Sequence, residues 1–179
     1  MKFFILAALL LTSSFSFAQS KLRYLVSYNP ETRLQRDSNT QQIAFNSLFN
    51  IGGGVVLDRT LVKFEFSKFE QNSGNPTLSV NRQHSEYVVW LNYDIMNLGP
   101  ATVFAGLGGG FLQETVKTTL NGATTTDRGN LELLAGAGGG FRAVIADHFV
   151  GSIEGRFIAS QNFDPNPQAA FVLGLGYLF

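Results

Sequence analysis

Three observations in the sequence predict an all-β fold, an eight-stranded antiparallel up-and-down transmembrane β-barrel. Segment after segment alternates apolar residues with polar or small ones at period two, the signature of a strand with two unlike faces. Nineteen Gly and seventeen Phe stand beside only five Pro in 179 residues. That mixture suits a narrow closed sheet, where Gly eases tight coiling and Phe favours strands. The last eleven residues put Phe171, Leu173, Leu175, Tyr177 and Phe179 on one face, with nothing after them to cover it. Such a face makes sense against lipid.

The first strand is expected over 22–28, with Leu22, Tyr24, Val26 and Tyr28 opposite Arg23, Leu25 and Ser27. The second, 43–57, sets Ile43, Phe45, Phe49, Ile51, Val55 and Leu57 against Asn46, Asn50, Gly52 and Gly54, and Asp58-Arg59 is a tight turn. The third, 60–69, alternates Val62, Phe64 and Phe66 with Lys63, Glu65 and Ser67. Charged residues in mid-strand make one face polar. In the fourth, 84–94, Tyr87, Val89, Leu91 and Tyr93 oppose Glu86, Val88, Trp90 and Asn92. The fifth, 101–114, and sixth, 130–142, carry near-copies, Phe104-Ala-Gly-Leu-Gly-Gly-Gly-Phe111 and Leu134-Ala-Gly-Ala-Gly-Gly-Gly-Phe141. The seventh, 149–159, alternates Ile153, Gly155 and Phe157 with Ser152, Glu154 and Arg156, and the eighth is the C-terminal segment.

The links between these strands are lopsided. Those after odd strands cover 29–42, 70–83, 115–129 and 160–168, whereas those after even strands cover only 58–59, 95–100 and 143–148. Long and short ends therefore fall on opposite rims. The long links are rich in Asn, Thr, Ser, Gln and Gly, and are expected to be mobile loops.

Alternation alone leaves the barrel free to face either way. Turned as a soluble, ligand-binding barrel, it would have to hold some thirteen aromatic rings inside a lumen that eight strands leave only just wide enough for ordinary side chains. The opposite faces carry Gly52, Gly54, Gly106, Gly108, Gly110, Gly136, Gly138, Gly140, Gly174 and Gly176. Small residues there leave room for Trp90, Phe104, Arg142 and Arg156, so the sizes favour rings outward. In water that surface would be an apolar patch beyond what soluble monomers tolerate; in lipid it is required.

At the N-terminus, Lys2, an apolar run over Phe3 to Leu11 and small residues at Ser16 and Ala18 read as a secretory signal over 1–18, with the barrel domain at 19–179. Nine apolar residues fall well short of the roughly 20 a spanning helix needs. The chain has no Cys, which removes disulfides, thiolate metal sites and lipidation at an N-terminal Cys. Thirteen basic and thirteen acidic residues give no net charge, a balance that argues against nucleic-acid binding.

On this alternation, the inward glycines and the C-terminal strand, the sequence resembles the small bacterial outer-membrane β-barrels, the class of the transmembrane domain of outer-membrane protein A and of outer-membrane protein X. Gly174, Tyr177 and Phe179 match that class's C-terminal assembly signal, while Val172 stands where a polar residue is usual. The resemblance implies residence in the cell outer membrane, short turns toward the periplasm and long links at the cell surface. It implies periplasmic chaperones and the barrel-assembly machinery as partners, with outer-membrane lipid around the barrel. The chain itself is read as ending at the barrel, with no periplasmic domain.

One constellation carries charge chemistry. Arg23, Lys63, Arg142 and Arg156 fall on the luminal face with Glu65, Glu86, Asp94, Glu114, Glu132 and Glu154. An Arg or Lys facing the bilayer midplane would cost roughly 2–4 kcal/mol, so these groups must pair inside or meet water. The expected role is a structural ion network in a closed lumen; a narrow pore for small solutes or ions is the alternative. His84-Ser85-Glu86 has the residue types of a nucleophilic triad, but strand neighbours point to opposite faces, so Ser85 is turned away from the other two. His148 lies in a short turn with no evident partner. The glycine runs lack the Lys-Ser/Thr of a phosphate loop, and two distant His without Cys give no metal spacing. The chain is read as a non-enzyme without cofactors, structural or surface-interactive in role, its links open to an extracellular ligand.

Overall fold

The computed structural model describes residues 22–36, 43–74, 78–161, 163 and 165–179, and their side chains except those of 35, 36, 43–47 and 71–74. The signal expected over 1–18 lies outside the described residues. Nine strands follow in order: β1 (Arg23–Tyr28), β2 (Glu31–Arg36), β3 (Ile43–Leu57), β4 (Thr60–Gly74), β5 (Leu78–Leu98), β6 (Ala101–Leu120), β7 (Ala123–Ile145), β8 (Phe149–Ala159) and β9 (Gln168–Leu178). Neighbours pair antiparallel from β3 through to β9, and both β1 and β2 pair with β3 on one side and β9 on the other. The sheet is thus closed.

Nine strands make eight staves because β1 and β2 are one stave broken at Asn29-Pro30. Pro30 lacks a backbone donor, yet the ladder carries across the break: Asn29 N–H donates to Asn50 C=O at 2.8 Å, and Leu173 N–H donates to Pro30 C=O at 3.1 Å. The first strand, expected to end at Tyr28 with 29–42 as a loop, instead continues as one stave to Arg36.

Two further expected loops are also mostly strand. β4 runs on to Gly74 and β5 starts at Leu78, while β6 and β7 pair out to Leu120↔Ala123 around a two-residue turn. Asn121 and Gly122 both take positive φ, 49° and 83°, as the hairpin turn that matches strand twist requires. The Thr-rich sequence on either side favours strands more than loops. β4 to β7 therefore rise as a four-stranded wall in place of two mobile links. Between β8 and β9 the expected link does hold, with no strand from Ser160 to Pro167 among the described residues.

Alternation sorts the faces as the side-chain sizes suggest. Tyr24, Phe49, Phe64, Tyr87, Leu91, Phe141, Phe157 and Phe171 stand exposed on the outside, while Leu25, Val88, Trp90, Phe104, Leu134, Ile158 and Val172 are buried within. The two glycine-rich copies turn out to be antiparallel neighbours, setting Gly106 against Gly138 and Gly108 against Gly136. Their missing side chains make the seat for Trp90: a Cβ at Gly108 would lie 2.8 Å from the indole, and one at Gly136 2.7 Å from its tip.

Gly136→Val should therefore push the indole out of its seat at a cost of about 1–3 kcal/mol. Trp90 is the only Trp in the chain, so its fluorescence reads the result directly: a red-shifted emission in the folded variant is expected, and an unshifted one would mean the glycines are not its seat.

Candidate functional site

The lumen is filled in layers. An apolar cluster of Leu25, Leu61, Val150 and Leu178 occupies the end with the short turns. A second cluster, Val88, Trp90, Leu112, Leu134, Ile158 and Ala170, fills another level, with Phe163 packed against it. Between the walls lie seven buried ionic side chains, Glu31, Arg33, Lys63, Glu65, Glu86, Glu154 and Arg156. Inward alternation delivers them as pairs two residues apart from β2, β4 and β8, with Glu86 from β5.

Two forked arginine contacts span the lumen. Arg33 on β2 donates to both Glu86 oxygens on β5, at 2.6 and 2.5 Å, and also pairs with Glu31. Arg156 on β8 donates to both Glu65 oxygens on β4, at 2.6 and 3.0 Å, and also pairs with Glu154. Such planar two-bond contacts fix orientation as well as charge. Lys63 Nζ joins the two carboxylates, 2.8 Å from Glu65 and 3.2 Å from Glu154. The Asn50 amide donates to Glu31 at 3.3 Å and Glu65 at 3.2 Å, linking the Arg33 and Arg156 groups into one network. The Arg156 guanidinium also lies over the Trp90 ring, 4.4 Å from its centroid.

Of the ten residues singled out on the luminal face, five meet in this network: Lys63, Glu65, Glu86, Glu154 and Arg156. The other five lie elsewhere. Arg142 pairs with Asp94 at 2.5 Å and lies over Phe104, near the short-turn end. Arg23 donates to the backbone carbonyl of Asp147 at the rim. Glu114 lies 3.3 Å from His84, and Glu132 accepts from Ser160 Oγ at 3.1 Å, both toward the opposite mouth. Glu31 and Arg33 were missed because Pro30 marked their segment as loop; the signal was there in the alternation of Glu31 and Arg33 with Thr32 and Leu34. Beside the network remains a void of about 20 Å³, bordered by Lys63, Asn92, Arg142 and Glu154, room for about one water.

His84, Ser85 and Glu86 do not converge. Glu86 is held by Arg33, His84 faces Glu114 and stacks edge-on against Phe69, and Ser85 lies on the other face. His148, read as partnerless, has two partners. Its ring stacks on Tyr177 at 5.3 Å, its Nδ1 is 2.9 Å from the Leu178 carbonyl, and its own carbonyl accepts from Leu178 N–H at 2.7 Å. The turn before β8 brings it against the end of β9, a neighbour that sequence distance conceals.

The residues read as an assembly signal sit at this closure. Tyr177 packs edge-on against Phe149 and Phe179, with ring centroids 5.4 and 5.0 Å away. Phe179 exchanges backbone hydrogen bonds with Tyr24, while its ring is exposed. Gly174 is buried, and a Cβ there would lie 2.2 Å from Ser152 Oγ.

Solved structures share this architecture. Neisserial surface protein A aligns with a TM-score of 0.61 at 11% identity, covering 88% of this chain and 95% of that one. The chain has the eight-stranded outer-membrane barrel fold. Ail, the attachment invasion locus protein of Yersinia pestis, aligns at 0.59 with 13% identity over 90% of this chain and all of that one. The N-terminal β-barrel domain of Pseudomonas aeruginosa OprF aligns at 0.56 with 9% identity over 90% and 100%. No protein-family model matches the sequence, and no curated protein matches it. At these identities the likeness is one of fold, and the residues of the network are read from this chain alone.

Removing one member of the network should leave opposite charges buried and uncompensated. Arg33→Met is expected to lower unfolding stability by about 3–5 kcal/mol. Arg33→Met with Glu86→Gln should cost clearly less than the sum of the two single changes, because each single change strands the other's partner. Urea titration in detergent micelles, followed through Trp90, measures both; additive costs would dissolve the pair.

Proposed function

We propose that this protein resides in the bacterial outer membrane as a closed barrel with a structural or surface-interaction role. The observation that carries this reading is the inversion of the barrel: rings cover the outside while paired charges and apolar plugs fill the inside. Leu107 and Leu133 are 68% and 73% exposed, and Phe157 is 61%. In water that belt would drive aggregation; in lipid it supplies the required apolar surface. No described helix is long and apolar enough to cross a membrane, so crossing falls to the strands.

The filled lumen supports closure over conduction. A path for hydrated ions would have to open through both apolar clusters and a cross-braced network of seven buried charges. The surface role belongs to the wall of β4 to β7 and the β2–β3 end, which extend past the short eighth and ninth strands. A role at the cell surface also fits the name of one structural neighbour, the attachment invasion locus protein. The periplasmic chaperones and the barrel-assembly machinery are the partners proposed for delivery, with the segment carrying Gly174, Tyr177 and Phe179 as what they read.

Cell fractionation with heat-modifiable gel migration tests residence: the outer-membrane fraction should hold a band whose mobility changes on boiling, and recovery in the soluble periplasm would refute it. Planar bilayers test closure. The wild type should give no steady conductance, and steps that vanish on neutralising Glu154 would establish a pore instead.

Phe179→Ala should reduce the folded outer-membrane fraction in cells while barely moving the urea midpoint of refolded protein, since the ring is exposed and, among the described residues, meets the single ring of Tyr177. Equal losses in both measurements would make the residue a packing element and not a signal.

A further inference from the structure

The turn between β7 and β8 is built against its own residue types. Ala146 and Asp147 both take positive φ, 50° and 64°, in a two-residue hairpin turn that ordinarily calls for Asn-Gly. Among the described residues other than glycine, the remaining positive-φ positions are Asp58 and Asn121, whose side chains tolerate that region. Ala146 carries a Cβ and no such compensation. A residue is held there only where its surroundings over-determine it. What the turn delivers is His148.

Phe149 and Tyr177 are register partners, so His148 falls opposite Leu178. An ordinary antiparallel pair of this kind exchanges two backbone bonds. Here the His148 carbonyl accepts from Leu178 N–H at 2.7 Å, but the turn takes the His148 N–H, which donates to Ile145 C=O at 3.3 Å. The imidazole replaces the missing donor. Its Nδ1 lies 2.9 Å from the Leu178 carbonyl, and since a carbonyl only accepts, that nitrogen carries the hydrogen. The same ring stacks on Tyr177, with centroids 5.3 Å apart and planes 8° from parallel.

Both polar backbone groups of Leu178 are thus satisfied by His148, without the first stave. Phe179 differs: its N–H donates to Tyr24 C=O, a partner nearly the whole chain away. His148 and Leu178 are 30 residues apart. Loop closure costs less at the shorter separation, so the clasp forms within the C-terminal hairpin while the seam to β1 is still open. Arg23, on β1, adds its bond to the Asp147 carbonyl when the seam closes.

We propose that His148 is a positioning residue for closure of the barrel: it clasps Leu178 and Tyr177 in the β8–β9 hairpin and holds the assembly segment in register before β1 arrives. It rests on the reading of Gly174, Tyr177 and Phe179 as that segment.

Refolding and unfolding rates of the full chain in detergent micelles, followed through Trp90, separate an early clasp from a late contact. Loss of an early clasp weakens the transition state and the native barrel alike. His148→Ala and His148→Phe should therefore refold about five-fold more slowly, the worth of one net hydrogen bond, with unfolding unchanged. The Phe variant keeps a ring beside Tyr177 but has no donor. His148→Asn, whose amide sets an N–H at a similar reach from the backbone, should refold at nearly the wild-type rate. Faster unfolding with unchanged refolding would make His148 a structural contact alone and overturn the proposal, as would His148→Asn refolding as slowly as His148→Ala. In cells, His148→Ala should lower the folded outer-membrane fraction alongside Phe179→Ala. Phe179→Ala impaired with His148→Ala normal overturns this proposal alone. Phe179→Ala assembling normally overturns the signal reading and this proposal with it.

Discussion

Closure of the sheet governs everything else in this molecule. A strand edge exposed to hydrocarbon leaves backbone donors and acceptors without partners, at several kcal/mol each, so a sheet crosses a bilayer only when its first and last staves join. Here the first stave pairs with β9 along both of its halves, from Leu25↔Leu178 to Arg33↔Ala170. Pro30 could have broken that seam, because it has no donor to give. It does so at one position only, and its carbonyl still accepts from Leu173. The Tyr24–Phe179 bonds and the contacts of His148 with Tyr177 and Leu178 complete the joint at the short-turn end.

Eight staves leave a narrow lumen, and its filling follows from that width. Glycines on β6 and β7 clear space for a single large indole, and the indole in turn supports Arg156. Charges that would be costly on the lipid side are gathered where they face one another. Each forked arginine contact ties strands from opposite walls, Arg33 to Glu86 and Arg156 to Glu65. A buried ion network adds less to stability than its contact distances suggest, because desolvation offsets much of the attraction. What it adds here is geometry: it braces the barrel across its diameter.

Much of this was legible in the residues. Period-two alternation gave the staves, and the contrast between inward Gly and outward Phe gave their orientation, because volume decides which face fits inside an eight-stranded barrel. The seventh strand and the Asp58-Arg59 turn lie where alternation and turn chemistry put them. Reading failed where one strong local signal masked a weaker regular one. Pro30 hid Glu31 and Arg33, and Thr- and Asn-rich composition hid the outer halves of β4 to β7. Partners distant in sequence were beyond reach for a different reason. Which carboxylate Arg33 holds, or that His148 meets the end of β9, depends on register around a closed ring, and alternation carries no register.

The central claim is that one side of each strand meets lipid and the other a sealed interior, and β5 offers its most direct measurement. The chain contains no Cys, so single cysteines at successive positions from Tyr87 to Asn92 can each carry a spin label in the vesicle-bound barrel. The account predicts that labels at Tyr87, Val89 and Leu91 are relaxed by oxygen dissolved in the bilayer, while those at Val88, Trp90 and Asn92 are shielded from both oxygen and a water-soluble nickel complex. Lipid contact at the even positions, or free access of the nickel complex to them, would contradict it.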